Sequence, residues 1–192
     1  HIYYGIYAMF VELIEPEFRL CAIDGTALRS SKYDSKAKSG KGTRLGYFKG
    51  YKLHLVATVT DVIIPLVFHV TTGNVYDNQV SDLLYEAKIY NPFLILADAA
   101  YDAVEWFEIA SNLKFNLLTD INMRKSKSIE SFVDKRYENA LFIKSPIGSK
   151  LYKNRLKIEQ LFSILKGLYN LEIWASPIRT SYKMGTVSIL NR

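Results

Sequence analysis

The sequence has few of the residues that form disulfides and zinc sites, and it lacks a long apolar run. Its 192 residues include one cysteine, Cys21, and three histidines. A single thiol excludes an internal disulfide and fits a reducing compartment, and we expect it to be buried within the apolar run 20–23. No stretch reaches the roughly 18 apolar residues that a membrane span needs. We therefore expect a cytoplasmic protein without a membrane anchor.

Motifs of several common enzyme classes are also missing. The sequence contains no glycine-rich phosphate loop and no Ser-His-Asp pattern, and His54 and His69 lack the spacing of metal ligands. No cysteine cluster supports a zinc site. The sequence therefore does not favour zinc, phosphate-loop or Ser-His-Asp chemistry.

Positive charge is abundant and unevenly placed. The formal net charge is +6, and residues 29–52 carry eight lysines or arginines against one acid, Asp34. Tyr33, Tyr47 and Tyr51 lie within the same stretch. A solvated surface is the usual reason for a charge run, but a basic segment that also carries aromatic rings favours a nucleic-acid partner.

The length and composition suit one globular domain. About half of the residues are apolar and 23% are charged, which is too apolar for a disordered chain. There is no internal repeat and no convincing linker. We expect residues 1–18 to be a leader or the remnant of an upstream region, residues 19–175 to form the domain, and residues 176–192 to be a C-terminal extension.

The order of elements predicts an α/β fold with a meander at its front. The predicted strands cover 19–28, 47–60, 62–70, 93–97 and 115–118, the second and third as an antiparallel pair and the fourth as a buried parallel strand. The predicted helices run from an N-cap at Asp77 to about 89, from a capping box at Asp102 to about 112, and over 151–168. We expect a loop over 30–46, irregular structure with a short strand at 140–143 over 119–149, and a short element over 181–191.

The helix predicted over 151–168 has two distinct faces. With about 100° per residue, its apolar side chains share one broad sector: Ile158, Leu161, Phe162, Ile164, Leu165 and Leu168. Tyr152, Arg155, Glu159 and Lys166 fall in a narrow sector beside it. One interpretation is an ordinary i,i+4 ion pair on a solvated face. The other is a functional carboxylate held among cations at the edge of the core.

Two aspartates interrupt apolar runs and are candidates for function. Asp98 directly follows the buried strand 93–97, and functional groups gather at the carboxyl ends of parallel strands. Asp24 lies within an apolar strand, where an unpaired carboxylate is costly. The alternatives are a helix cap for Asp98, although Asp102 is better placed for that, and a turn before Gly25 for Asp24.

Asp24, Asp98 and Glu159 could converge on one site. Carboxylates at close range repel each other unless divalent cations neutralise them. Oxygen ligands select hard ions such as Mg²⁺ or Mn²⁺, and two such ions suit in-line displacement at phosphorus. The residues alone thus point to metal-dependent phosphoryl transfer.

Three blocks resemble the DDE transposases of prokaryotic insertion sequences. They are Ala22-Ile-Asp24-Gly-Thr, Leu96-Ala-Asp98-Ala-Ala-Tyr101-Asp102 and Tyr152-x2-Arg155-x3-Glu159-x6-Lys166. The third is similar to the Tyr-Arg-Glu-Lys signature of one large subgroup. The segments Lys49-Gly-Tyr-Lys-Leu-His54 and Val70-Thr-Thr-Gly-Asn-Val-Tyr-Asp77 also resemble that family. The resemblance covers about residues 19–175.

The resemblance implies an RNase H-like mixed sheet flanked by helices, with residues 19–175 as the catalytic domain. It implies that Asp24, Asp98 and Glu159 are the catalytic residues and bind two Mg²⁺ (or Mn²⁺). Water would cut DNA at an element end, and the 3′ hydroxyl would then attack target DNA. Tyr152, Arg155 and Lys166 would contact DNA near the scissile phosphate, and the assembly on DNA could be a homodimer.

Charge alone adds Lys49 and Lys52 as candidate contacts to the DNA backbone. Two alternatives to a transposase remain. One is a catalytically silent DNA-binding remnant, because Ala99 and Ala100 stand where the family commonly has a basic residue and glycine. The other is a general RNase H-like nuclease.

Overall fold

The structure is a computed structural model that describes residues 17–42, 46–123 and 135–174. The strands in these ranges are β1 (Leu20–Arg29), β2 (Lys38–Gly42), β3 (Gly46–Thr58), β4 (Pro65–Thr72), β5 (Leu94–Ala97) and β6 (Asn116–Thr119). The helices are α1 (Asp82–Ala87), α2 (Val104–Asn112), α3 (Lys135–Lys144), α4 (Pro146–Tyr152), α5 (Leu156–Gly167) and α6 (Leu171–Trp174). Short 3₁₀ turns cover Asp77–Gln79, Lys88–Tyr90, Ala99–Tyr101 and Lys153–Arg155.

The strands form one mixed sheet. Its order is β2-β3-β1-β5-β6, and β4 also pairs with β3. The pairs that β3 makes with β1, β2 and β4 are antiparallel, whereas β1–β5 and β5–β6 are parallel. Helices pack on both faces of this sheet, so the predicted α/β fold with a mixed sheet flanked by helices is confirmed.

The core has two parts, one on each face of the sheet. Successive side chains of β1 point to opposite faces, so neighbouring residues belong to different parts of the core. Ile23 packs on the side of α1 and α2, whereas Ala22 packs on the side of α5. Fully buried Trp106 of α2 anchors the first part. Ile158 and Phe162 of α5 anchor the second. The helix α5 therefore lies against the face to which the even-numbered residues of β1 point.

Most of the predicted elements are confirmed. The structure contains β1, the antiparallel pair β3–β4, the buried parallel strand β5 and the strand β6 close to their predicted positions. Cys21 is fully buried, as expected. The apolar side of α5 is confirmed for Ile158, Leu161 and Phe162, but Ile164 and Leu168 are exposed.

Three predictions along the chain are wrong. The loop over 30–46 contains β2, whose glycine-rich sequence does not show the alternating pattern of a strand. Glycine is needed at position 40 because a side chain there would collide with the Gly73 carbonyl. The predicted strand 140–143 lies inside α3. The helix over 151–168 is not continuous, since α4 is followed by a 3₁₀ turn before α5.

The predicted caps are also wrong. The helix α1 begins at Asp82 after Ser81, and α2 begins at Val104 after Ala103. The carboxylate of Asp77 contacts Lys52 instead. Asp102 is fully buried and is bound by Arg136, whose Nε and Nη2 donate at 2.7 and 2.6 Å. Tertiary partners have replaced the local capping roles.

Some predictions lie outside the described residues. They are the leader 1–18, apart from its last two residues, the extension 176–192, and the short element 181–191. Within the described ranges, no helix combines the length and the apolar character needed to cross a bilayer.

Candidate active site

The strand register places Asp24 and Asp98 side by side. β1 and β5 pair in parallel, and their last pair is Ala22 with Leu96. Each aspartate lies two residues beyond that pair, so both are at the same level. β5 ends at Ala97 while β1 continues to Arg29, which leaves one side of β1 open. Both carboxylates line the cavity that this opening creates.

The cavity collects groups from distant parts of the chain. Its volume is about 510 Å³. Its ionisable lining residues are Asp24, Lys41, Lys52, Asp77, Asp98, Arg155, Glu159 and Lys166. The three acids predicted to be catalytic thus line one cavity, contributed by β1, the end of β5 and the first turn of α5.

Burial is the main reason that the pKa values of Asp24 and Asp98 are raised. Burial, followed by the charge of Asp98 and more weakly that of Asp77, raises the pKa of Asp24 to about 7, although the Gly25 N–H and Arg155 oppose this. Burial also raises the pKa of Asp98, against the N–H of Ala100 at 2.7 Å and Arg155. A pair of acids in this state would be stabilised by added positive charge.

Arg155 and Glu159 face each other across one turn. Arg155 Nη1 lies 3.6 Å from Glu159 Oε1, and its guanidinium lies 5.7 Å from the ring centre of Tyr152. Arg155 Nε is buried and has no hydrogen-bond partner among the described residues. Because buried donors are rarely left unpaired, this N–H is available for an acceptor such as a phosphate oxygen.

Tyr152 supports the strand end beside Asp98. Its hydroxyl donates to the Ala97 carbonyl at 2.8 Å and accepts from the Asp120 N–H at 3.3 Å. The residue does not line the cavity. The phenol thus ties α4 to β5 and β6, and its predicted contact with DNA stays a prediction.

Two of the three predicted lysines line the cavity, and the third lies elsewhere. Lys52 and Lys166 line the cavity, where Lys166 Nζ donates to the Ala27 carbonyl at 2.6 Å and lies 3.5 Å from Glu172. Lys49 donates to the Lys32 carbonyl at 2.7 Å. It lines a separate cleft of about 270 Å³.

Sequence reasoning missed Asp77. The predicted role was a helix N-cap, but the Asp77 carboxylate lines the cavity and its Oδ1 lies 3.2 Å from Lys52 Nζ. The residues that could have indicated this position lie in separate segments of the chain. Lys52 and His54 alternate onto one face of β3, and Gly25 stands opposite His54 on β1 without a side chain to fill the space.

The mixed sheet brings paired aspartates to the carboxyl end of a parallel strand, beside basic side chains. The family described as "Transposase DDE domain", a family of nucleic-acid-processing proteins, matches residues 15–180, and the chain belongs to that family. The expected resemblance to DDE transposases is therefore confirmed; the subgroup with the Tyr-Arg-Glu-Lys signature stays a prediction.

Two solved structures are similar to this chain. One is the simian T-cell lymphotropic virus intasome in complex with PP2A regulatory subunit B56 gamma, with 16% identity over 73% of this chain and 48% of that chain, at a TM-score of 0.34. The other is the Mos1 transposase paired-end complex with left transposon end, with 9% identity over 88% and 59% and a TM-score of 0.36. The chain thus spans about half to three fifths of these relatives. The comparison with curated proteins finds no significant match.

The donor set fits a divalent cation in part. The family generally uses divalent metal ions, and Asp24 and Asp98 offer the carboxylate oxygens that Mg²⁺ and Mn²⁺ prefer. Burial is the main reason that their pKa values are raised, and a bound cation would favour the ionised carboxylates. However, no three His, Cys, Asp or Glu side chains in the described ranges stand close enough together to hold one ion. Glu159 lines the cavity without completing such a group.

Proposed function

We propose that this chain is a DDE transposase catalytic domain that cleaves DNA strands and transfers them at insertion-sequence ends. The supporting observation is the cavity at the end of β5, in which Asp24 and Asp98 meet at one level and Glu159 and Arg155 face them from α5 and the turn before it. The family match over residues 15–180 supports residues 19–175 as the catalytic domain.

In this proposal each acid is both a catalytic residue and a metal ligand. Asp24 and Asp98 would hold divalent cations, Mg²⁺ or Mn²⁺, and Glu159 would join them from α5. The ions, two in number by analogy with in-line displacement sites, would activate the attacking oxygen and stabilise the leaving oxygen. The attacking group is water in the cleavage step and the freed 3′ hydroxyl in strand transfer.

The cations of the cavity wall bind the substrate. Arg155 offers its unpartnered Nε–H to a phosphate oxygen, and Lys52 and Lys166 add positive charge to the same wall. Tyr152 holds the β5 end in place, with its ring against Arg155. Lys49 lies in the neighbouring cleft with Tyr47, where it would contact the DNA backbone farther from the cut. Two domains bound to the two ends of an element would form the homodimer.

DNA cleavage by four variants tests the proposal. Asp24→Asn, Asp98→Asn and Glu159→Gln should each lower Mg²⁺-dependent cleavage of terminal-repeat DNA by roughly 100-fold or more, because each removes a charge at the reacting centre. Asp61→Asn is the matched control, since Asp61 is exposed in a turn. Full activity in all three site variants would contradict the proposal.

A second candidate function is a DNA-binding domain without catalysis. It is favoured by the position of Glu159, which pairs with Arg155 rather than joining Asp24 and Asp98 in a three-ligand group. Salt-sensitive DNA binding without cleavage, measured on one preparation in Mg²⁺ and in Mn²⁺, would identify it. Preferential cutting of RNA–DNA hybrids would instead indicate a general RNase H-like nuclease.

A further inference from the structure

Asp77 lines the cavity beside Gly25 of β1. Its Oδ1 lies 3.2 Å from Lys52 Nζ and 3.6 Å from His54 Nδ1. Glycine at position 25 leaves room for this approach, because a Cβ there would lie 2.9 Å from Asp77 Oδ1 and 3.1 Å from His54 Nδ1. Three segments therefore meet at this carboxylate: the first strand beside Asp24, the strand β3, and the turn after β4.

His54 forms the floor beneath Asp77. It is fully buried, and its Nε2 lies 2.9 Å from Thr71 Oγ1 on the neighbouring strand. Its Nδ1 is buried and has no hydrogen-bond partner among the described residues. In the tautomer in which the Thr71 hydroxyl donates to Nε2, Nδ1 carries the proton and lies 3.6 Å from Asp77 Oδ1.

Lys52 is the cation that forms an ion pair with Asp77. Only 12% of its side chain is exposed, although lysine has a long and flexible stem. Its ammonium lies on the wall of the cavity that holds Asp24 and Asp98. Without Asp77 that ammonium would sample many positions, and each DNA contact would have to fix it anew.

We propose that Asp77 is a positioning residue of this site, which holds the Lys52 ammonium in the cavity wall for a DNA phosphate oxygen and is itself seated by His54. The inference rests on the proposed function, since it requires DNA in the cavity. It adds a fourth carboxylate to the site with a role different from that of the other three. Asp77 acts through Lys52 and does not touch the reacting atoms.

An effect of overall charge and a positioning role predict opposite changes in DNA affinity when Asp77 is replaced. Removing a negative charge from a DNA-binding cavity should tighten binding if only the overall field matters. Removing the residue that holds Lys52 should weaken binding, because a phosphate contact is lost. The sign of the change therefore separates the two explanations.

The test is DNA affinity of the full chain, measured by fluorescence anisotropy at several salt concentrations without divalent ions. Asp77→Asn should weaken binding roughly fivefold and make the salt dependence shallower by about one phosphate contact. Lys52→Met should do the same, and the double variant should lose no more than either single variant. Asp82→Asn, an exposed acid at the start of α1, is the matched control and should not weaken binding.

Binding by Asp77→Asn at or above the wild-type affinity, or losses that multiply in the double variant, would overturn the inference. If Asp77→Asn does not fold, as judged by circular dichroism, Asp77→Glu decides. This substitution keeps the negative charge but displaces the Lys52 ammonium. Weakened DNA binding would therefore support the positioning role, and unchanged binding would overturn it. A wild-type chain that binds no DNA would reject the proposed function itself.

Discussion

At the scale of single residues, Asp24 carries the largest electrostatic cost of the site. Its carboxyl accepts a hydrogen bond from the Gly25 N–H at 2.8 Å. Burial of the group and the nearby charge of Asp98 nevertheless raise its pKa. The ionised form is therefore disfavoured in the fold until a cation arrives. A stable protein without a functional reason would place an apolar or amide side chain there.

This cost makes stability depend on pH in a defined direction. The pKa of Asp24 is about 7 in the fold against 3.8 as its ordinary value, so the folded chain binds the extra proton between those limits. Stability should therefore fall as pH rises from about 4 to 7 and then level off. Asp24→Asn should remove this contribution and gain on the order of 2 kcal/mol at pH 8, with little gain at pH 4.

Urea unfolding at the two pH values, without divalent ions, measures the effect. Asp61→Asn is the control for loss of an exposed carboxylate. Equal stability of wild type and Asp24→Asn at pH 8 would contradict the assignment of a buried, destabilised acid.

The sequence identifies the residues that break a local pattern and not those defined by distant partners. Asp24 and Asp98 were found because each interrupts or ends an apolar strand, and Glu159 because helical spacing places it beside Arg155. Asp77 follows a Gly-Asn turn and looks like a cap. Its real contacts are to Lys52 and His54, which precede it in the chain by more than 20 residues.

At the scale of elements, the periodic segments were predicted and the short or irregular ones were not. β1, β3 and β5 have long or wholly apolar runs, so their burial pattern is visible in the sequence. The helix α3 has no such pattern, since Ala140 is its one fully buried residue. It is held by tertiary contacts, above all the pair between Arg136 and Asp102 just beyond β5.

That ion pair should be a major support of the site. Asp102 is fully buried, so Arg136→Ala removes the cation paired with it and two short hydrogen bonds, and should destabilise the fold by about 3–5 kcal/mol. Arg29→Ala is the matched control, because the Arg29 side chain is 57% exposed in its pair with Glu172 and the change should cost less than about 1 kcal/mol. Denaturant unfolding of both variants measures the difference. Similar small losses would show that Arg136 is not needed to hold α3.

At the scale of the whole molecule, the site exists because the sheet is mixed. An antiparallel meander brings Asp24 to the middle of the sheet, and a parallel crossover brings Asp98 to the same level beside it. The chain then returns through α4 so that α5 covers the same face and adds Glu159. More than 130 residues separate the first acid from the last, which is why their meeting required the fold.

A calorimetric Mn²⁺ titration of the wild-type chain measures whether these acids share divalent cations. Mn²⁺ should bind with release of protons near pH 7, because the cation displaces the proton of Asp24, and binding should be lost in Asp24→Asn and in Asp98→Asn. Mn²⁺ binding of unchanged affinity in both variants would contradict this sharing of cations.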